Sequence, residues 1–331
     1  MASIGLAAAG SLSICVLALR RILVARAERR LAAIEAALTP LALALLGGET
    51  GDLRNLDPDD GRILARLLTR YSQRLQGSES VRIAEFFERH GGLDREVAEL
   101  RSRRAWKRAT AAFALGDMAS AGAIPPLLEA LEDRDHSVRA AAARSLGRLG
   151  AVEAVEPIVY ALAEGRLPRS VAGQALLAVG PTALPTLRGL AEAPAPGARA
   201  FAVELVGLLG DASDDLSVLE RLRDSSAEVR AKAARALGRL GSGQATAELT
   251  LALDDRIVFV RTSAARALAA VGDREAVPAL FRVAREDEFD PARAAAWAAS
   301  KLDPAGVSAV ASRPGAGRHL QEAADLLKAQ A

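Results

Sequence analysis

An arginine returns along this chain at a nearly constant interval, and that interval limits the possible folds more than any other feature. Arg108, Arg139, Arg169, Arg199, Arg230, Arg261 and Arg293 are spaced 31, 30, 30, 31, 31 and 32 residues apart. A period of this size belongs to stacked helical pairs, in which each unit buries its apolar face against its neighbours. The cleanest copy, residues 224–241, reads DSSAEVRAKAARALGRLG. Val229 and Arg230 open an Ala-rich stretch of high helix propensity. Val229, Ala233, Ala236, Leu237 and Leu240 fall on one face of that helix, and Gly241 stops it. A second helix follows; in residues 275–283, Val277, Leu280 and Phe281 are placed to cover the first.

Six residues before the Arg stands an Asp in four copies: Asp133/Arg139, Asp224/Arg230, Asp255/Arg261 and Asp287/Arg293. The spacing predicts that the Asp of the turn meets the Arg of the helix it precedes, caps that helix and bridges neighbouring repeats. A fully exposed pair contributes only about 0–1 kcal/mol, so its expected use is to fix stacking register. Ala163 and Ala193 replace the Asp in the middle copies, where Pro168, Pro181, Pro185, Pro194 and Pro196 crowd the turns. The bridge is expected to lapse there, with a change of superhelical curvature.

The unit resembles the HEAT repeat in its short bacterial form, related to phycobilisome-lyase HEAT-like repeats. Asp224, Val229, Arg230, Leu237 and Gly238 carry the resemblance, as do prolines early in the first helix at Pro125, Pro157, Pro185 and Pro278. It implies an all-α fold: a right-handed α-solenoid of about seven HEAT-like pairs over residues 101–304. One transmembrane helix and a short helical N-terminal cap are expected to precede it. The repeat type identifies a fold and leaves the partner open.

Half the residues are hydrophobic but only 3% are aromatic, so Ala and Leu must supply the core, which suits close helix packing. A net charge of +2 gives no global field toward nucleic acid. The single cysteine, Cys15, lies in an apolar run and excludes an intrachain disulfide or a cysteine metal cluster.

Residues 1–19 carry no charge, and Arg20, Arg21, Arg26, Arg29 and Arg30 follow, opposed only by Glu28. Nineteen helical residues span roughly 28 Å, about one hydrocarbon core. Ala25-Arg26-Ala27 has the form of a signal-peptidase site, but the positive charge follows the apolar run, the reverse of a secretory signal. The expectation is a single-pass anchor in the inner membrane through residues 4–25, with the N-terminus outside and the repeats in the cytoplasm. The domains are then residues 1–27 as anchor with its Arg-rich flank, 28–100 as helical linker and cap, 101–304 as array and 305–331 as a C-terminal capping helix.

Residues 27–47 read as a helix interrupted at Pro40, and helices are expected near 58–75, 79–89 and 93–101, with Tyr71, Phe86 and Phe87 in their core. Asn55, Asp57 and Asp59 imitate a calcium loop, but Asp60 holds its glycine position and Arg66 its bidentate glutamate position, so no metal is expected. Trp106 and Trp297, at the two ends of the array, are expected to close off the core.

His90, His136 and His319 lie in separate parts of the chain and none belongs to a His-Glu pair, unlike the iron-binding HEAT enzymes that hydroxylate a modified lysine. No P-loop or dinucleotide fingerprint occurs. No cofactor, nucleic acid or small-molecule substrate is expected. Five residues beyond the repeated Arg stand Arg144, Arg235 and Arg266, with Arg148 and Arg239 one turn on. In HEAT arrays this helix lines the concave face, so these five form a candidate basic stripe for acidic protein surfaces, phosphates or lipid headgroups. The reading is a non-enzymatic, membrane-anchored scaffold that binds a membrane-associated protein. Its layout resembles anchored HEAT proteins of high-GC bacteria linked to membrane glycosyltransferases and envelope assembly. The alternative is a bilin-lyase-like enzyme or enzyme subunit.

Overall fold

A computed structural model describes residues 91–330 without a break, residues 28–45, and positions 21, 25, 26, 47, 57, 60, 61, 63, 64, 67, 68, 87 and 88. The expected anchor at residues 4–25 lies outside these apart from Arg21 and Ala25, as do Tyr71 and Phe86. Among the described residues the chain is all helix and turn, and no helix is long and apolar enough to cross a membrane. Residues 28–45 are helical straight through Pro40, with no interruption. Proline removes the amide that would bond to residue 36, and both positions are exposed, so water can satisfy the freed carbonyl.

The chain divides into two compact units, Met1–Leu149 and Gly150–Ala331, a boundary that falls inside the array. In the first unit, α1 (Gly92–Glu99) leads into α2 (Ala105–Asp117), α3 (Ile124–Ala130) and α4 (His136–Arg148). Helix α2 packs along α4, and Leu64, Leu67, Leu68 and Phe87 are buried in the expected N-terminal core.

The second unit runs through α5 (Val155–Ala163), α6 (Arg169–Val179), α7 (Leu184–Leu190), α8 (Pro196–Leu209), α9 (Asp215–Leu219), α10 (Ala227–Leu240), α11 (Thr246–Leu251), α12 (Val258–Val271), α13 (Val277–Glu286), α14 (Phe289–Leu302), α15 (Pro304–Ala311) and α16 (Arg318–Gln330). The Arg-bearing helices α8, α10, α12 and α14 stack on one another as a first layer. The shorter helices between them form the second. Pro185 and Pro278 open α7 and α13 in the first turn, where a missing amide costs nothing. Helix α15 has no counterpart in the sequence expectation; with α16 it covers the end of α14.

Small residues let the first layer close up. Ala231, Ala233, Ala234, Ala236 and Leu237 of α10 are all buried. A Cβ on Gly238 would lie 2.9 Å from the Ala267 Cα on α12, and one on Gly207 would collide with Ala236. The Leu-Gly signature therefore marks where the next helix crosses. In α6 the same position is Leu177, which is exposed, and α6 meets α8 only sparingly. Packing loosens in the stretch where the sequence departs from the pattern.

The repeated Arg ties the turns together, with a partner other than the expected one. Arg108 Nε and Nη2 donate to the two carboxylate oxygens of Asp133, both at 2.7 Å. Arg199 does the same to Asp224, Arg230 to Asp255 and Arg261 to Asp287. Each carboxylate thus belongs to the Arg of the preceding repeat. The Asp six residues upstream offers only its backbone carbonyl: Arg230 Nη1 donates to Asp224 O at 2.9 Å, and Arg139 Nη1 to Asp133 O at 2.8 Å. This backbone bond needs no Asp, because Arg199 makes it to Ala193 O and Pro194 O. What Ala193 and Pro194 forfeit is a carboxylate for Arg169, which makes no hydrogen bond or ion pair among the described residues. The Asp does not cap its helix as expected but closes the turn before it: Ser226 N donates to Asp224 Oδ1 and Ile257 N to Asp255 Oδ1, and Ser226 and Ile257 themselves occupy the N-cap positions with no side-chain cap bond.

The carboxylates stay charged below the ordinary aspartate range. For Asp133 and Asp224 the hydrogen bond from the Arg is the largest influence and lowers the pKa. For Asp255 and Asp287 burial pushes upward most strongly, but the Arg and backbone amide bonds together outweigh it.

Two outcomes follow. Arg230 and Asp255 have side chains only 10% and 12% exposed. Asp255→Ala leaves the buried guanidinium without its counter-ion and should destabilise by about 3 kcal/mol, measured by urea unfolding; Arg230→Ala on top of it should cost less than additively. The depressed carboxylates contribute stability that is fully present above the unfolded aspartate value of about 3.9 and lost as pH falls through the lower folded values. The urea midpoint should therefore hold from pH 7 to about pH 5 and fall below about pH 4, with a shallower fall in Asp255→Asn.

Candidate binding surface

In each unit the Arg-bearing helices leave a face outside the core, and large rings stand exposed on them. Trp106 on α2 is 61% exposed and Trp297 on α14 is 48% exposed. Phe113 on α2, Phe259 on α12 and Phe289 on α14 are exposed as well. The tryptophans do not close the ends of the core; Ala and Leu fill it, and the rings point outward. Four of the five carry a cation: Lys107 lies 5.9 Å from the Trp106 ring, Arg148 lies 4.1 Å from Phe113, Arg293 lies 5.4 Å from Phe289 and Lys301 lies 4.8 Å from Trp297. A cation over a ring face is attracted by its quadrupole, by about 0.5–1 kcal/mol at exposed sites.

The five stripe arginines separate into different roles. Arg148 is a structural residue: Nη2 donates to Phe113 O and Ser145 Oγ and sits 3.2 Å from Asp117. Burial lowers its pKa, more strongly than Asp117 raises it. Arg144, on the same helix, has no partner among the described residues. In the second unit, Arg235 Nε donates to Ser263 Oγ at 3.2 Å and has no carboxylate, while Arg239 and Arg266 make no hydrogen bond or ion pair among the described residues. Lys232, between them, is neutralised by Glu204 at 2.6 Å.

One stretch of this face is concave. Arg266 of α12 and Arg293, Ala294 and Trp297 of α14 line an open cleft of about 350 Å³. Arg293 is free to line it because the residue 25 positions on is Arg318 rather than an aspartate. Besides the Phe289 ring, its contact is Asp290 at 3.5 Å, both groups exposed. Small Ala294 supplies the floor. Two guanidiniums stand beside an indole, and the lining residues include no nucleophile and no general acid–base pair. No group of three His, Cys, Asp or Glu side chains among the described residues is placed to hold a metal ion.

Sequence reasoning found Arg266 through its repeat position but missed Arg293, which it placed in the structural ladder, and Trp297, which it placed in the core. The signal was there in part: Lys301 follows Trp297 by one helical turn, and Lys107 follows Trp106 directly.

The family described as HEAT repeats matches residues 95–177 and 216–300. Comparison with curated protein sequences returns no match. Among solved structures, human deoxyhypusine hydroxylase in complex with glycerol is 21% identical, with 82% of this chain and 98% of that chain covered at a TM-score of 0.34. The complex of CpcE and CpcF of phycocyanin lyase from Nostoc sp. PCC7120 is 23% identical, covering 71% and 94% at a TM-score of 0.34. An engineered protein is 20% identical, covering 86% of both chains at a TM-score of 0.40. Likenesses at this level carry no argument about activity.

The division of the stripe can be measured. Arg148→Ala should destabilise the chain by about 1 kcal/mol through the lost ring contact and ion pair. Arg144→Ala and Arg239→Ala should stay within about 0.5 kcal/mol of the parent in the same urea titration.

Proposed function

The chain belongs to the family of HEAT repeats, and from that premise we propose that it is a non-enzymatic scaffold that holds a protein partner on the exposed face of its first-layer helices. The observation that carries this reading is the outward placement of rings and unpaired arginines in an array whose core is built from Ala and Leu. Trp and Arg are the residues that dominate protein interfaces, because they combine large contact area with directional bonding. Here Trp106, Trp297, Arg144, Arg235 and Arg266 are held out toward solvent by helices packed on their opposite face.

The scaffold is tethered to the membrane by residues 4–25, with the repeats on the cytoplasmic side. The uncharged run of residues 1–19 and the Arg cluster behind it support that placement. Tethering raises the local concentration of a partner in the same membrane, so a modest interface suffices. The layout suits support of a membrane glycosyltransferase or envelope-assembly complex.

The test is recovery of the full-length chain in mild detergent. One membrane protein should accompany it in stoichiometric amount, and the triple reversal Arg144→Glu, Arg235→Glu, Arg266→Glu should release it. A partner that stays bound to that variant is held elsewhere, and this reading of the face is wrong. A reporter fused after Ala331 should be active in the cytoplasm; activity only outside would overturn the orientation.

A further inference from the structure

The cleft between α12 and α14 has a composition that narrows its occupant. Arg266 has no carboxylate, carbonyl or hydroxyl partner among the described residues, and Arg293 has only the exposed, long contact to Asp290 and the Phe289 ring at 5.4 Å. Two guanidiniums therefore line one space with no carboxylate closer than the exposed Asp290 at 3.5 Å, whereas Arg230 and Arg261, the repeat equivalents of Arg293, are both held by bidentate aspartates. Beside them Trp297 keeps nearly half its surface exposed, and Ala294 leaves room below the ring. At about 350 Å³ the space lies at the small end of the range for ligand sites, enough for a few side chains and too little for a folded surface. Phosphate alone would leave the indole wet, and an apolar segment alone would leave both guanidiniums unmatched.

We infer that the cleft takes a short acidic peptide segment of a partner protein, seating a carboxylate between Arg266 and Arg293 and an apolar side chain on Trp297. The proposal rests on the scaffold reading and gives it a location and a ligand chemistry. The planar fork of each guanidinium suits a carboxylate in the same way that Arg230 and Arg261 receive Asp255 and Asp287. Here the acceptor comes from another chain. Lys301, 4.8 Å from the Trp297 ring, adds positive potential on the same side.

The experiment uses the full-length chain carrying Trp106→Phe, which leaves Trp297 as the single tryptophan reporter. Its fluorescence is titrated with a short synthetic peptide of alternating Glu and Leu. Controls are a Glu/Ser peptide, a Lys/Leu peptide, inorganic phosphate and glycerol 3-phosphate. The Glu/Leu peptide should shift the emission to shorter wavelength saturably, and the Glu/Ser peptide should bind about tenfold more weakly for want of the apolar contact. The shift should weaken about tenfold or more in Arg266→Ala, Arg293→Ala and less in the double Lys variant, which keeps charge but loses the fork. Arg239→Ala, outside the cleft, should change the affinity less than about twofold. Circular dichroism melting checks that each variant is folded. The inference is overturned by the absence of a saturable shift up to about 1 mM peptide. It is equally overturned by a shift that survives the double Ala variant, or by phosphate competing as well as the peptide. Capture of a membrane partner by a chain carrying Arg266→Ala, Arg293→Ala would remove the cleft from the interface and leave the scaffold reading standing.

Discussion

Everything in the repeat array depends on one guanidinium serving two turns. Arg230 closes on the carboxylate of Asp255 in the following repeat and, with its third nitrogen, on the backbone of its own turn at Asp224 and Ser225. Arg261 repeats the arrangement with Asp287 and Asp255. From Arg199 to Asp287 the carboxylate bonds run on without a gap, and Asp224 and Asp255 each receive the preceding Arg on the carboxylate and the following Arg on the carbonyl. The Ala faces of the first-layer helices supply most of the buried area, but hydrophobic contact is non-directional and a smooth Ala surface can slide. A bidentate pair has one good geometry. It supplies the register that the small side chains do not.

The same interaction decides which arginines remain available for anything else. Arg108, Arg199, Arg230 and Arg261 find an aspartate 25 or 26 residues on. Arg169 meets Pro194 at that distance and Arg293 meets Arg318. The first vacancy coincides with Leu177 in place of a crossing glycine, and the layer loosens between α6 and α8. The second comes at the last first-layer helix, where α15 and α16 take over the packing, and it leaves Arg293 without a bidentate aspartate. One rule thus generates both the stacked turns and the exposed guanidinium of Arg293.

This explains how far the sequence could be read. The period, the helix starts at Val-Arg, the apolar face of residues 229–240 and the terminal helix near 319–328 were legible because local spacing determines them. The partner of each Arg was misassigned, since an Asp six residues away looks nearer than one 25 residues away. In the fold, the helix returns the distant turn alongside, and the near Asp turns its side chain to the other neighbour. The tryptophans were misread for a different reason. Large apolar residues in a chain with 3% aromatics invite a core role, but a layer spaced by Ala and Gly has no room for an indole. Helix rotation put Trp106 and Trp297 outside, and only the adjacent Lys residues hinted at it.

A core of Ala and Leu also bears on what kind of binding this surface can support. Because the stack does not need its rings, they are free to act at the surface, yet a single cleft offers few contacts. Charge-assisted bonds contribute about 1.5–3 kcal/mol each and a partly covered indole about as much again, before the cost of ordering a peptide. Such a sum corresponds to weak binding, of the order of micromolar to millimolar. An interaction of that strength is occupied only where its ligand is concentrated. On the proposed reading the membrane tether provides that concentration, converting a poor encounter in three dimensions into a confined one. On that reading anchor and cleft depend on each other: without the first, the second would stand empty, and without the second, the first would hold a repeat array with nothing to recognise.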